Sequence, residues 1–272
     1  MNEYMEINRE RWNELVAIHA ASTSDYNLEG FKNSNDIRIR TLEREEVGDV
    51  SGKSLLHLQC HFGLDTLSWA RLGAKVTGID YSDQAIHMAR SLSDELHIPA
   101  TFVLSNVYDL PKTLDETEQF DIVYTSHGVI GWLPDLKPWA QVITHYLKPG
   151  GVFYIAEAHP FMWTFDNDSS DFKLKYPYFM REPILSIAEN TYADKNAKVQ
   201  HSTEYGWNHT LSEILGSLIN AGLTVNFLHE YPFCAWECFP NMQEGEDRWY
   251  RITDPTITDM LPLTFTLKAT KA

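Results

Sequence analysis

The sequence is poor in positive charge, in cysteine, in long apolar runs, and in glycine at the one turn that would ordinarily need it. Its 22 Lys and Arg stand against 38 Asp and Glu, a formal charge of −16 over 272 residues. Most of the surface therefore repels phosphate backbones and anionic headgroups, which argues against nucleic acid and membrane as partners. Three cysteines, Cys60, Cys234 and Cys238, are too few and too odd in number for a disulfide framework and suit a reducing compartment. The N-terminal MNEYMEINRERWNELVAIHA is charged and amphipathic, without the apolar stretch of a signal peptide. No segment approaches the roughly eighteen uninterrupted apolar residues of a membrane span. A cytoplasmic protein, monomeric or homodimeric, is expected. Tandem repeats and low-complexity tracts are also missing, so organisation has to be read from periodicity and punctuation.

What is present is an alternation. With 43% apolar residues the chain can fill a large core. Leu55 to Leu58, Val76 to Ile79, Phe102 to Leu104, Ile122 to Thr125 and Val152 to Ala156 are short apolar runs of the kind buried in parallel sheets. Helical patterns lie between them at Thr66 to Leu72, Ser82 to Leu96 and Leu136 to Leu147, the second opening on a serine cap. Strand–helix alternation predicts an α/β, doubly wound, Rossmann-like sheet with its ligand at the carboxyl ends of the strands, near the switch in strand order. After the fifth strand the rhythm breaks. Pro160 to Trp207 is aromatic, polar and Pro-punctuated, and reads as an insertion. A helix at Leu211 to Ala221, a stop at Gly222 and strands at Leu223 to Glu230 and Leu263 to Ala269 complete the sheet, the last two as an antiparallel pair at its edge. The expected organisation is one domain: a helical cap over 1–50, a core over 51–157, an insertion or lid over 158–210 and the end of the sheet over 211–272.

The first turn poses the chemical question. In LLHLQCHFGLDTLSWARLGAKVTGID, a strand, a turn, a helix and a second strand ending in Asp80, only Gly63 occupies the turn where dinucleotide folds carry G-x-G-x-x-G. Gln59 and His61 contradict a nicotinamide oxidoreductase, because glycines there let the backbone approach a pyrophosphate. S-adenosyl-L-methionine has no phosphate. Its carboxylate can use the turn's N–H groups, and its ribose hydroxyls need an acid such as Asp80.

Over Leu55 to Ala156 the sequence resembles the class I, Rossmann-like S-adenosylmethionine-dependent methyltransferases. Leu55-Leu56-His57-Leu58-Gln59-Cys60-His61-Phe62-Gly63 covers the first motif, with His57 where an acid that helps hold the methionine amine is usual and Gln59 and His61 where glycines are usual. VTGIDYS fits the ribose-binding acid. FVLSNVYDLP fits the adenine-reading segment, with Asn106 in place of Asp. FDIVYTSHGVIGWL fits the fourth strand and its exit loop, and LKPGG the turn before strand five. The HLQCHFGLDTLSWA form, with WNELVAIHAAS and AEAHP, is similar to an unassigned small-molecule branch. The resemblance implies a seven-stranded sheet. It also implies Gln59, Cys60, His61 and Gly63 around the methionine, with Thr66 and Ser82 completing the cofactor set. Asp80 would lie on the ribose, Tyr81 beside the adenine, Asn106 and Val107 at the adenine edge, and Ser126 and His127 beside the methyl group.

The implied reaction is methyl transfer to an N, O, S or C atom of a small molecule. A non-catalytic S-adenosylmethionine-binding protein would carry the same motifs and is the alternative. Where a base is needed, His127 at the exit of strand four leads, followed by His159 and His19. Trp12, His19 and Tyr26 from one side, and Trp132, His159 and the insertion from the other, are expected to enclose a partly aromatic or cationic acceptor. Tyr176, Tyr178, Phe179, Tyr205 and Trp207 either join that wall or form the insertion's own core. His57, Cys60 and His61 have no recognised zinc spacing, so no metal is expected. Cys60 reads as a packing residue or, less simply, a nucleophile.

Overall fold

The computed structural model describes residues 3–23, 26–115, 117–180 and 182–272. The chain opens with α1 (Glu3–Ala21), α2 (Leu28–Lys32) and α3 (Thr41–Val47). It then alternates through β1 (Ser54–Leu58), α4 (Leu64–Arg71), β2 (Lys75–Asp80), α5 (Asp83–Leu96), β3 (Ala100–Leu104), α6 (Leu110–Thr113), β4 (Phe120–Ser126), α7 (Leu136–Tyr146) and β5 (Leu147–Ala158). A hairpin of β6 (Ile184–Ile187) and β7 (Thr203–Gly206) follows, then α8 (Leu211–Asn220) and β8 (Leu223–Tyr231). Three short strands, β9 (Phe233–Cys234), β10 (Met242–Glu244) and β11 (Tyr250–Ile252), precede the last, β12 (Thr264–Lys271).

Seven strands form one sheet in the order β3-β2-β1-β4-β5-β12-β8. The first five are mutually parallel, and β12 runs antiparallel between β5 and β8. The doubly wound α/β architecture expected from the alternation is the observed one. Strand order reverses between β1 and β4, so their carboxyl ends splay and leave a crevice there. Helices cover both faces, which explains why Leu55, Leu56, Leu58, Val123 and Tyr124 are all fully buried. Each such leucine contributes about 2 kcal/mol by leaving water. Local chemistry sets the helix starts. Ser82 caps α5 by accepting from Ala85 N, Asp135 caps α7, and Thr210 and Glu213 form a capping box on α8.

Two segments differ from the sequence expectation. Leu147 to Gly151 is not a free turn: β5 already pairs with β4 at Leu147, bulges, and pairs again from Val152. Residues between β8 and β12, counted in the sequence expectation within the end of the large sheet, form a separate three-stranded sheet ordered β10-β11-β9. Among the described residues no helix is long and apolar enough to cross a membrane.

The helix α1 lies across the strand ends because polar side chains tie it on two sides. Asn8 exchanges two hydrogen bonds with the backbone of Tyr205, and the guanidinium of Arg11 donates to the carbonyls of Ala188, Asn190 and His201. On the other side Arg9 and Asn13 both reach Asp83 at the start of α5.

Candidate active site

A cavity of about 270 Å³ opens at the carboxyl ends of β1, β2 and β4. Its floor is the turn from β1 into α4, and the backbone there accounts for the unusual sequence. Gln59, His61 and Gly63 have φ of 57°, 50° and 82°. All three positions where the resemblance expects glycine keep the left-handed conformation, which costs a non-glycine residue about 1–2 kcal/mol. Side-chain bonds offset that strain: Gln59 Nε2 donates to the Val129 carbonyl at 2.9 Å, and His61 Nε2 lies 3.1 Å from His19 Nδ1. At Gly63 no side chain fits, because a Cβ would stand 2.8 Å from the Phe102 ring. Glycine survives where space forbids a side chain, not merely where the backbone prefers one.

Asp80 Oδ2 accepts from His61 N at 2.8 Å and Oδ1 from Ser82 N at 2.8 Å. Burial pushes its carboxyl upward while these bonds pull it down. Each oxygen retains capacity for a further donor, and the side chain lines the cavity. Tyr81, Asn106 and Val107 line the same end. The Tyr81 hydroxyl donates to Glu6, and its pKa is raised to about 12, first by burial and then by that carboxylate. Asn106 Oδ1 accepts from Tyr108 N, leaving its amide nitrogen 3.7 Å from Met5 Sδ. Ser82 also lines the cavity, but its hydroxyl is used by the α5 cap and by Asn13.

Gln59 Oε1 is buried without a hydrogen-bond partner among the described residues. Gln59 lines the cavity, and an unpartnered buried acceptor on a lining residue calls for a donor, of which the ammonium of a methionine moiety is one; this, with Asp80, is the observation by which the residues fit S-adenosylmethionine. Cys60 is buried, with burial and then Asp80 raising its thiol pKa well above normal, and Gly78 leaves room for its sulfur. It packs; it is no thiolate.

At the other end stand Ser126 and His127, where β4 leaves the sheet. The exit loop is held by a residue the sequence reading passed over. Glu157, buried on β5, accepts from the backbone N–H groups of Gly128, Val129 and Ile130. An acid inside the apolar run VFYIAEA is the signal that could have found it. Asp65, in the first turn of α4, also lines the cavity with its carboxyl raised by burial and then by Glu43. Trp12 and Trp132 meet edge to face at 5.4 Å over the opening, and Tyr26 lines it as well.

Three expected residues lie elsewhere. Thr66 is buried beneath the turn with its hydroxyl 2.8 Å from His57 Nδ1. His19 is fully buried behind His61, held 2.7 Å from Thr191 Oγ1, and does not reach the cavity. His159 faces away: its Nε2 lies 2.9 Å from Glu230 and its Nδ1 accepts from Phe161 N. The insertion supplies Tyr192 rather than the Tyr176, Tyr178, Phe179, Tyr205 and Trp207 set. Phe179 is 78% exposed, and Tyr205 and Trp207 pack on Tyr4 of α1. The wall missing from the sequence reading comes from the small β10-β11-β9 sheet and its loops, with Trp236, Glu244, Arg248 and Tyr250, and from Arg38 and Arg40 ahead of α3. The 32-residue stretch between Glu230 and Leu263, rich in rings and too long for a plain connection, was the available signal.

Sequence and structure comparisons bear on the domain and the fold. A family model described as a methyltransferase domain matches residues 56–155. A ubiquinone biosynthesis O-methyltransferase from Proteus mirabilis is 26% identical over 202 residues, 71% of this chain and 76% of that one. An uncharacterized methyltransferase from Synechocystis is 34% identical over 131 residues, but spans only 47% of this chain and 58% of its own. Among solved structures, an S-adenosylmethionine-dependent methyltransferase from Clostridium acetobutylicum covers 96% of this chain and 99% of its own, with a TM-score of 0.60 at 12% identity. One from Mesorhizobium loti covers 85% and 96%, with a TM-score of 0.55 at 18% identity; at such identities the likeness is one of fold. The chain thus carries a methyltransferase domain over residues 56–155, on the fold of the class I S-adenosylmethionine-dependent methyltransferases, and its cofactor is S-adenosyl-L-methionine.

Proposed function

We propose that the protein methylates a hydroxyl group of a small, ring-bearing acceptor. The observation that carries this reading is the single cavity shared by two chemistries: the glycine-like turn and Asp80 at one end, and His127 beside an aromatic wall at the other. The O-methyltransferase names of similar proteins support the choice of atom.

When bound, S-adenosylmethionine supplies a methyl group activated by a positively charged sulfur. The chain's own residues bind and orient. Gln59 Oε1 and the turn's backbone hold the methionine end, Asp80 accepts from the ribose hydroxyls, and Tyr81, Asn106 and Val107 enclose the adenine. Trp12 and Trp132 cover the opening and keep water out, and positioning of this kind is worth roughly 7–11 kcal/mol. Rings of Tyr192, Trp236 and Tyr250 suit a planar acceptor. The guanidinium groups of Arg38, Arg40 and Arg248 on the same wall favour a neutral or anionic acceptor over a cationic one. The whole chain acts as one methyltransferase domain, with the N-terminal helices and the 158–210 insertion as its cap.

The test is a transfer assay with methyl-labelled S-adenosylmethionine offered against catechols, phenols, carboxylates and amines. Label on oxygen is expected. Transfer to amines alone would overturn the hydroxyl assignment, and S-adenosylhomocysteine binding by calorimetry separates that outcome from loss of the cofactor site.

A further inference from the structure

The carboxyl group of Glu43 is 1% exposed, on a helix outside the motif-bearing core, and nothing in the reading above uses it. Its Oε1 lies 3.5 Å from His127 Nε2. Neither atom has a hydrogen-bond partner among the described residues, and both are buried. Two orphaned polar atoms facing each other inside a protein satisfy each other when one carries the proton. The other carboxylate oxygen accepts from the Tyr124 hydroxyl, which fixes the orientation of the group. The second ring nitrogen of His127, Nδ1, has no partner among the described residues, on a side chain that lines the cavity.

We propose that Glu43 is a positioning residue: it holds His127 in the Nε2–H tautomer, so that Nδ1 presents a bare lone pair to the acceptor hydroxyl and takes its proton. This rests on the hydroxyl-acceptor reading. In the step, the acceptor oxygen forms a bond to the methyl carbon as the carbon–sulfur bond breaks and its electron pair stays on sulfur. The hydroxyl proton passes to Nδ1, and the resulting imidazolium is paired with the Glu43 carboxylate.

The surroundings decide why the pair is needed. His57 from β1, Tyr124 from β4, Asp65 from α4, Arg40 ahead of α3 and Arg248 from the far wall all face it. Burial, then Arg40, depress the His127 pKa to about 3, with Asp65 opposing. Burial raises Glu43, while Arg40 and the Tyr124 hydrogen bond favour its ionised form. An imidazole so placed would be a poor base alone. A carboxylate at its back stabilises the charged ring at the moment the proton arrives, and positioned base catalysis contributes about 10²–10⁴-fold.

The test begins with the protein labelled at histidine with nitrogen-15, without cofactor, the His127 signals being assigned by their absence in His127→Gln. Long-range proton–nitrogen correlation at pH 7.5 should show His127 protonated at Nε2 and bare at Nδ1. In Glu43→Gln the tautomer preference should weaken and the ring should titrate at lower pH. A wild-type His127 protonated at Nδ1 overturns the proposal, and so does an identical tautomer and titration in Glu43→Gln. The wild-type measurement needs no variant, so a Glu43→Gln protein that fails to fold leaves the first criterion in force. With catechol as acceptor, Glu43→Gln should lower kcat about 100-fold with KM and S-adenosylhomocysteine affinity within twofold. An unchanged kcat overturns the role in transfer. Wild-type protein that leaves catechol unmethylated while showing the Nε2–H tautomer would count against the hydroxyl reading and support the pairing.

Discussion

Arg40 holds the backbone of Arg248, and Arg248 in turn holds the backbone just ahead of Arg40. Arg40 donates to the Arg248 carbonyl at 3.1 Å and to that of Ala235 at 2.6 Å, while Arg248 donates to the carbonyls of Ile37 and Arg38 at 3.1 and 3.0 Å. The Arg40 guanidinium also lies 4.6 Å from the Trp249 ring. This double grip fastens the small sheet to the segment ahead of α3, and so sets the distance between the acceptor wall and His127. Arg248→Ala leaves those carbonyls without their charged donor, and is expected to cost about 2 kcal/mol of stability. Acceptor KM should rise while S-adenosylhomocysteine affinity stays within a few fold. Urea unfolding and calorimetry check both, and an unaltered acceptor KM would refute the wall's role.

Asp80→Ala is expected to weaken S-adenosylhomocysteine binding by about 2 kcal/mol, roughly 30-fold, since a charge-assisted pair of hydrogen bonds is lost. The variant also frees His61 N and Ser82 N, so circular dichroism should accompany the titration. Wild-type affinity in the folded variant would remove Asp80 from the cofactor site.

The turn gives a contrast between neighbouring substitutions. Gly63→Ala combines a left-handed φ with a Cβ 2.8 Å from Phe102, and should lower stability by about 2–3 kcal/mol. His61→Gly relieves about 1 kcal/mol of backbone strain and loses the contact with His19, so its stability should stay within about 1 kcal/mol of wild type. Equal losses in the two variants, measured by chemical denaturation, would contradict the steric account of why only Gly63 remains glycine.

Burial depresses the pKa of His19 to about 3, with Arg11 adding to the effect. In the unfolded chain the ring titrates near 6.5. Between those values the unfolded state binds the proton and the folded state does not, so this residue's contribution is complete above pH 6.5 and is lost as pH falls toward 3. Wild-type protein should therefore lose more stability from pH 7 to pH 5 than His19→Gln does. Parallel stability–pH curves for the two proteins would show that His19 is not held neutral by the fold.

The legible parts of the site were those whose partners are close in sequence. Asp80 sits at the end of an apolar run and Ser82 caps the helix beside it, so VTGIDYS displays both roles within seven residues. The turn from Gln59 to Gly63 was legible as a turn, but its side chains were not. Nothing in QCHFG states that His61 meets His19 or that Gln59 meets Val129, 70 positions away. His159 illustrates the converse. AEAHP sits at a strand end where a cleft histidine is plausible, yet β5 turns the ring toward Glu230.

By itself the sequence determined the order of strands and helices, the doubly wound sheet, the cleft at the carboxyl ends of its strands and the acid that ends the second strand. These follow from apolar periodicity, caps and turn geometry, all set by residues within a turn or two of each other. Only the tertiary structure decided which groups share the acceptor end. Glu43 reaches Tyr124 across 81 positions and Arg40 reaches Arg248 across 208, and the small sheet after β8 becomes a wall only because that clasp folds it back. Such contacts depend on the path of the whole chain and on which polar atoms burial leaves without water, and neither quantity is carried by any local stretch of residues.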